Sequence, residues 1–435
     1  MDWGKLPDLV CVALLICAFA SVSRNSKTHQ SKIWLVGWVM IAVHFAASLF
    51  LRMPGFVANV ADWIALSALS GAGLVFVWAA IPYRQRASSR WMLAALVGTS
   101  TLYIGLITLP SAGLWILETA AVLLGAAPLA VTLLTMRRFQ RPERWVVVVL
   151  YCALSVFAVA VQPRSNGPFL TVSGLLVAAY LACCITFWFA YRRWTTGSFI
   201  TIAGFLAWSS VFVVAPVLQH YWAGVHVQSE VWNLPKYVVA AGMILLLLED
   251  QIAHNRHLAL HDELTGLPNR RLFHNRLENA LDRATRSGQS VALLLIDLDS
   301  FKLVNDTAGH HIGDELLKRV SSIFLTRIRI SDTVARTGGD EFSVILEGPV
   351  TRRQAADVAA SLKAMLAESI DIEGHRLQVG ASIGLAMYPE DATAAEPLCV
   401  AADVAMYAEK YVSREQRRNA GLSGLPESLR RPLQG

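Results

Sequence analysis

Charge is scarce in this sequence. Only 16% of the 435 residues are Asp, Glu, Lys or Arg, and 54% are hydrophobic. An ordinary soluble protein carries about 25% charged residues, so a single water-soluble fold is excluded as an account of the whole chain. Cysteine is sparse as well. Cys11, Cys17, Cys152, Cys183 and Cys184 sit in apolar runs, and Cys399 stands alone. No spacing among them suits a disulfide framework or a zinc site, and they read as small apolar packing residues. Tryptophan is missing from the second half, since all 13 fall before residue 248. That distribution suits indole rings placed at membrane interfaces. The shortage of charge is uneven too. Residues 1–248 hold 16 basic and 6 acidic side chains, whereas residues 249–435 hold 22 basic and 26 acidic. The net charge of +6 therefore belongs to loops of the first half. It gives no support to nucleic-acid binding, and no nucleic-acid partner is expected.

Long hydrophobic runs are what the first half has in their place. A bilayer core needs about 20 mostly apolar residues per helix. Suitable stretches cover residues 6–22, 33–51, 58–81, 91–109, 113–136, 145–161, 169–191, 199–218 and 232–248. The last is interrupted by Pro235 and Lys236, so counts of seven to nine spans all fit. The first could pass for a signal peptide with Ala18-Phe19-Ala20 as its cleavage site. Its early Lys5 is flanked by Asp2 and Asp8, however, and it is read as a retained span.

Loop charges orient these spans. Arg24, Lys27 and Lys32 follow the first, and Arg84, Arg86 and Arg90 the third. Arg137, Arg138, Arg141 and Arg144 follow the fifth, and Arg192 and Arg193 the seventh. The intervening loops hold only Arg52 and Arg164. Basic loops stay in the cytoplasm. The pattern predicts an outside N-terminus, a cytoplasmic C-terminal half and a multi-pass protein of the inner membrane. His44, Asp62 and Glu118 fall within or at the edge of spans. Ionisable groups at that depth are costly; interfacial solvation, a helix–helix hydrogen bond and an outward-facing ligand pocket each fit.

At the junction, Leu245, Leu248, Ile252 and Ala259 follow heptad spacing with Asn255 in register. This predicts a linker helix over 249–260, either a short two-chain coiled coil or a single exposed helix. Soluble patterning follows. Apolar residues 291–296 read as a buried strand, with Asp297-Leu298-Asp299 at its end. Residues 313–328, 354–368 and 396–411 have helical period. Residues 333–336 and 342–346 read as strands around Gly338-Gly339-Asp340-Glu341, a turn whose glycines are expected at positive φ, and 377–387 as a further strand. This order, strands mixed with helices on one face, suggests an α+β domain. In it Asp297 and Asp340 can face each other on adjacent strands, an oxygen-rich pair suited to Mg²⁺. Two such ions clamp the attacking and leaving oxygens of nucleotidyl transfer. Gly338 and Gly339 leave room for a nucleotide against the backbone, and Lys302 can neutralise a β- or γ-phosphate.

Arg336 followed by Gly338-Gly339-Asp340-Glu341-Phe342 resembles the signature of the GGDEF, or diguanylate cyclase, family. The resemblance runs from about residue 260 to 414. It includes His261-Asp262-Glu263-Leu264-Thr265-Gly266-Leu267-Pro268-Asn269-Arg270, the Asp297–Asp306 stretch with Gly309-His310 and Gly313-Asp314, and Ser382-Ile383-Gly384. It implies that Asp297 and Asp340 bind two Mg²⁺ ions, or Mn²⁺, with the Leu298 carbonyl assisting. Glu341 would complete the acidic site and take the proton of the ribose 3′-hydroxyl. Asn305 and Asp314, with His310 nearby, would read guanine. Lys302, Lys410 and Arg414 would hold the triphosphate of GTP. Ser413 and Glu415 replace the family's glycine and asparagine around Arg414, which weakens that last contact. Arg329-Ile330-Ser331-Asp332 matches the family's inhibitory site for the product, cyclic di-GMP.

The resulting expectation is an α-helical transmembrane bundle over 1–248, the linker helix, a palm-like α+β GGDEF domain over 261–415, and a disordered tail over 416–435. The implied activity joins two GTP into cyclic di-GMP and two pyrophosphates, which requires a homodimer. A catalytically silent GGDEF receptor is the alternative, although Asp297, Asp340 and Glu341 are intact. A transporter with a regulatory tail has no substrate motif to support it. No Glu-Ala-Leu signature of the hydrolase of cyclic di-GMP is present.

Overall fold

The computed structural model describes residues 2–25, 29–81, 87–108, 112–135, 142–191, 194–221 and 229–419. The chain divides into two compact units, Met1–Ile252 and Ala253–Gly435.

The first unit is entirely helical among the described residues. After a short 3-10 turn, its helices are α1 (Leu6–Asn25), α2 (His29–Ser48), α3 (Phe56–Ala80), α4 (Ala87–Thr108) and α5 (Leu114–Thr135). There follow α6 (Pro142–Val161), α7 (Gly167–Ala190), α8 (Thr196–Tyr221) and α9 (Ser229–Leu260). Among the described residues, nine helices are long and apolar enough to cross a membrane. Several basic loop residues used for the topology, Lys27, Arg84, Arg86, Arg137, Arg138, Arg141, Arg192 and Arg193, lie outside the described residues. Helices α3 and α7 form the interior, and small residues let their backbones approach. A Cβ on Gly73 would meet Ala179 at 3.2 Å. Across the same seam Tyr180 donates to the Leu69 carbonyl (2.8 Å) and the Cys183 thiol to that of Gly73 (3.1 Å). Small-residue contacts and interhelical hydrogen bonds of this kind are typical of closely packed apolar helices. His44 bonds the Ala65 carbonyl through Nδ1 (2.9 Å), while Asp62 and Glu118 are half-buried.

Pro235 and Lys236 do not interrupt the ninth helix. Pro235 stands in its second turn, and buried Lys236 donates to Asn233 Oδ1 (2.5 Å) with its ammonium 4.5 Å from the Phe45 ring centre. The helix continues without a break through the expected linker. Leu248, Ile252, Asn255 and Ala259 are exposed on it.

The second unit contains α10 (Arg270–Ser287), β1 (Val291–Asp299), α11 (Phe301–Ala308), α12 (His310–Arg327), β2 (Thr333–Arg336) and β3 (Glu341–Leu346). It continues with α13 (Arg352–Ala367), β4 (Ile370–Ile372), β5 (His375–Leu377), β6 (Gly380–Tyr388) and α14 (Ala395–Asn419). The main sheet has the order β2-β3-β1-β6, all neighbours antiparallel. Helices cover both of its faces, where the sequence suggested one. Leu294, Ile296 and Leu298 of β1 join a core with α12 and α13, whereas Val291 and Leu293 join a second core with α10 and α14. The reason is in β1 itself. Its unbroken apolar run marks a strand buried on both sides rather than an alternating half-exposed one.

Capping sets the helix ends. Asn269 accepts from the Leu272 N–H to start α10, and left-handed Gly288 ends it. Thr351 and Gln354 form a reciprocal capping box on α13. Helix α14 runs through Asn419, into the segment expected to be a disordered tail; residues 420–435 of that segment lie outside the described residues.

Candidate functional site

The acidic residues meet at one end of the central strand pair. Antiparallel pairing puts Asp297 of β1 opposite Glu341 of β3 and opposite Ser382 of β6. Residues opposite each other share a sheet face, here the face covered by α10 and α14. The Leu298 N–H donates to the Asp340 carbonyl (3.1 Å), which ties the turn to the strand end. Asp297 is only 7% exposed. A buried carboxylate needs a partner, and Lys410 of α14 supplies it, donating from Nζ to Asp297 Oδ1 (2.7 Å). The next carboxylate along, Asp299, accepts from the Ser382 hydroxyl (2.9 Å).

The turn between β2 and β3 is shaped by its neighbours. Neither Gly338 nor Gly339 adopts the left-handed conformation expected of them. The turn is wide rather than a two-residue hairpin, with the Thr337 and Gly338 N–H groups both directed at the Glu341 carbonyl (3.0 and 3.3 Å). At Gly338 a Cβ would meet the Glu341 carboxylate at 2.5 Å, so any larger residue there would push the Glu341 side chain aside. Gly339 faces open space, so its backbone is free to be approached.

Arg336 braces this turn, a role that sequence reasoning missed. Its guanidinium donates to the Gly339 carbonyl (2.7 and 3.1 Å) and to both oxygens of Asp262 (2.9 and 3.1 Å). Asp262 also accepts from the Thr265 N–H and hydroxyl (2.8 and 2.6 Å). Burial pushes the Asp262 carboxyl up, but the Thr265 and Arg336 hydrogen bonds outweigh it and hold the pKa below its usual 3.8. The entry motif thus fastens the active turn from a point 74 residues away in sequence. Only the shared resemblance of both segments to one family hinted at such a link; no local period could have.

Asn305, His310, Asp314 and Lys302 lie on α11 and α12, which cover the opposite sheet face, whereas Arg414 lies on α14. Asn305 of α11 packs its side-chain amide against Gly313 of α12, where any Cβ would collide with it. His310 and Asp314 are exposed one turn apart on α12. Lys302 is exposed on α11, and Arg414 is exposed one turn beyond Lys410. A cleft of about 330 Å³ opens beside Glu341 between α10 and α14, lined by Arg270, His274, Thr337, Cys399 and Asp403 among others. It lies on the face away from Asn305 and Asp314. Arg329 is exposed and makes no side-chain pair with Asp332, whose Oδ1 accepts from the Glu347 N–H (3.0 Å).

These oxygen donors can be tested against a divalent cation. Among the described residues no three His, Cys, Asp or Glu side chains converge on one point. Yet Asp297 already holds a positive group, the Lys410 ammonium, and the acidic residues around it offer only oxygen. A hard cation such as Mg²⁺ fits that donor chemistry.

A sheet of this order, a Gly-Gly-Asp-Glu-Phe turn and an acidic strand end define the class. Residues 259–416 match the family model for the diguanylate cyclase GGDEF domain, and the C-terminal unit is a GGDEF domain. Among its relatives is the bifunctional diguanylate cyclase/cyclic di-GMP phosphodiesterase MucR of Pseudomonas aeruginosa. It is 44% identical over 36% of this chain and 23% of MucR. The diguanylate cyclase TpbB of the same species is 41% identical over 40% of this chain and 41% of TpbB. The chain therefore spans less than half of either relative. A solved structure of a sensory box/GGDEF family protein from Caulobacter crescentus is 40% identical. The match covers 35% of this chain and 99% of that one, with a TM-score of 0.34.

Proposed function

We propose that the chain is a diguanylate cyclase of the cytoplasmic membrane, in which the helical unit spans the bilayer and the GGDEF domain faces the cytosol. The observation that carries the reading is the pairing of Asp297 with Glu341 at the strand end, with the Asp340 carbonyl bonded to Leu298. Two GTP molecules, one on each of two facing domains, become cyclic di-GMP and two pyrophosphates. In each half-reaction a ribose 3′-oxygen bonds to the α-phosphorus of the other GTP. The bond from that phosphorus to the bridging oxygen breaks, and pyrophosphate leaves. Glu341 accepts the hydroxyl proton. Asp297 and Asp340, with the Leu298 carbonyl, would hold two Mg²⁺ ions. When bound, these supply positive charge to the triphosphate and acidify the 3′-hydroxyl. Asn305 and Asp314, with His310 beside them, bond the guanine edge, and the bare backbone of Gly338 and Gly339 lets the nucleotide lie close. Lys302, Lys410 and Arg414 hold phosphate oxygens.

The geometry of one domain cannot close a ring alone, so the reading requires a homodimer. The heptad spacing of Ile252, Asn255 and Ala259, exposed on α9 past the apolar stretch that ends at Leu248, supports it, because such a stripe is what a second chain would cover. Arg329 and Asp332 take product. Arg329 can fork onto guanine O6 and N7, and Asp332 retains an oxygen for the base N–H groups. The full chain, purified in detergent and given GTP with Mg²⁺, should yield cyclic di-GMP by mass spectrometry. A folded, dimeric chain that leaves GTP intact would overturn the reading in favour of a silent receptor.

A further inference from the structure

We propose that Lys410 is the resting counter-cation of Asp297, which a divalent metal must displace and which is thereby released toward the triphosphate. The inference rests on the proposed role of Asp297 as a metal ligand and goes beyond it. It assigns the lysine two alternative seats, the first of which opposes metal binding.

Three observations carry it. Asp297 is buried at 7% exposure, and a carboxylate there cannot be left without positive charge nearby. Lys410 meets that need by direct contact, its Nζ 2.7 Å from Oδ1. A divalent metal on the same carboxylate would take the oxygen that Lys410 now holds or sit beside the ammonium, and like-charge repulsion at such range is unfavourable in a partly desolvated site. Metal and lysine therefore oppose each other at Asp297.

The lysine's seat is also built, not incidental. The preceding residue, Glu409, accepts from the Ile383 N–H (2.7 Å) on β6, the edge strand of the main sheet, and pairs with Lys363 of α13. These contacts fix the register of α14 against β6, whose Ser382 lies directly opposite Asp297. Helix α14 thus delivers Lys410 to the metal carboxylate, while its flexible four-carbon stem permits a swing away. Arg414, one turn further, remains exposed at the same side of the helix. After displacement, Lys410 and Arg414 would present adjacent charges to phosphate.

The consequence is thermodynamic. Metal and lysine compete for Asp297, so metal alone binds weakly. A triphosphate that holds the lysine elsewhere relieves the competition, and by linkage the metal favours the triphosphate in return.

Mn²⁺ binding to the full chain in detergent, followed by electron paramagnetic resonance without nucleotide, tests this directly. Lys410→Met and Lys410→Gln should each bind Mn²⁺ about tenfold more tightly than wild type, a coupling of ordinary size. Asp297→Ala should abolish that binding in either background. A second measurement needs no variant. Acetylation of Lys410 by a succinimidyl ester, quantified by peptide mass spectrometry, should be slow in the metal-free wild type. It should accelerate on Mn²⁺ saturation, with Lys318 unchanged as reference. Equal Mn²⁺ affinity in wild type and both lysine variants, with Asp297→Ala still abolishing binding, overturns the displacement and leaves the metal ligand standing. Mn²⁺ binding that survives Asp297→Ala overturns both. A Lys410 acetylation rate indifferent to Mn²⁺ also overturns the displacement.

Discussion

The two units put their polar residues to opposite uses. In Met1–Ile252 polar groups are few, and several of those inside are bound locally or to a neighbouring helix, while the indole N–H groups of Trp34, Trp38 and Trp208 are buried without a hydrogen-bond partner among the described residues. Examples of the bound groups are Lys236 on Asn233, His44 on the Ala65 carbonyl and Tyr180 on the Leu69 carbonyl. The last two tie neighbouring helices together where apolar contact alone gives no preference among neighbours. In the GGDEF domain the polar residues gather at one sheet end and are left partly unfilled. Glu341 is exposed on its strand beside Asp297, and Gly339 faces open space. The lesson is that burial with a partner marks structure, whereas charge held at an edge with free capacity marks chemistry. Asp297 belongs to both kinds, buried and paired yet central to the proposed reaction.

Topology is where this contrast is easiest to break. A reporter fused after Gly435 should be wholly cytoplasmic, and one inserted after Ser165 wholly external. Protease protection or a periplasm-dependent reporter would read this, and a reversed pattern would part the GGDEF domain from cytosolic GTP. Base choice should respond less absolutely. Asn305→Ala or Asp314→Ala should raise the apparent KM for GTP and cut discrimination against ATP by about a hundredfold, because the polar partners of guanine are lost. Unchanged nucleotide preference in both would remove these residues from the guanine site. Feedback should respond less again. Arg329→Ala should keep synthesis but weaken inhibition by added cyclic di-GMP about tenfold or more, the worth of one bidentate contact to guanine. Identical inhibition curves would make the tetrad an ordinary surface turn.

The smallest expected effect is on stability. Asp262 has its folded-state pKa lowered from 3.8, so its contribution is fully present above that value. It is lost as pH falls through the lower folded value. Thermal melts of the full chain from pH 6 to pH 3 should show Asp262→Asn flattening the acid limb. It should cost about 1–3 kcal/mol at neutral pH, as for a charge-assisted hydrogen bond. Superimposable melts would mean that the Arg336 brace contributes nothing.

What could be read from the sequence follows the same divide. The helices of the first unit announce themselves by length and apolarity, and even α9 with its proline was visible. Their neighbours were not, because every face is apolar and no period distinguishes one contact from another. In the GGDEF domain the central strands stood out as apolar runs between turns. Helix α11 escaped notice because eight residues are too few for a clear period. The β4–β5 hairpin has strands of only three residues. Its Glu373-Gly374 turn, with both residues at positive φ, was a usable signal that went unread. At the site, residue types and spacing pointed to the acidic corner. The contacts of Arg336 with Asp262 and of Lys410 with Asp297 join segments 74 and 113 residues apart, and only the fold brings them together.

Turnover of GTP at the acidic strand end of the GGDEF domain is open to direct measurement. Wild type and Asp340→Ala, purified side by side as full chains, would be given GTP and Mg²⁺ while cyclic di-GMP and pyrophosphate are both quantified. The account predicts two pyrophosphates for each cyclic di-GMP from wild type, and neither product from a folded Asp340→Ala chain. Equal synthesis by the variant, or pyrophosphate released without cyclic product, would contradict it.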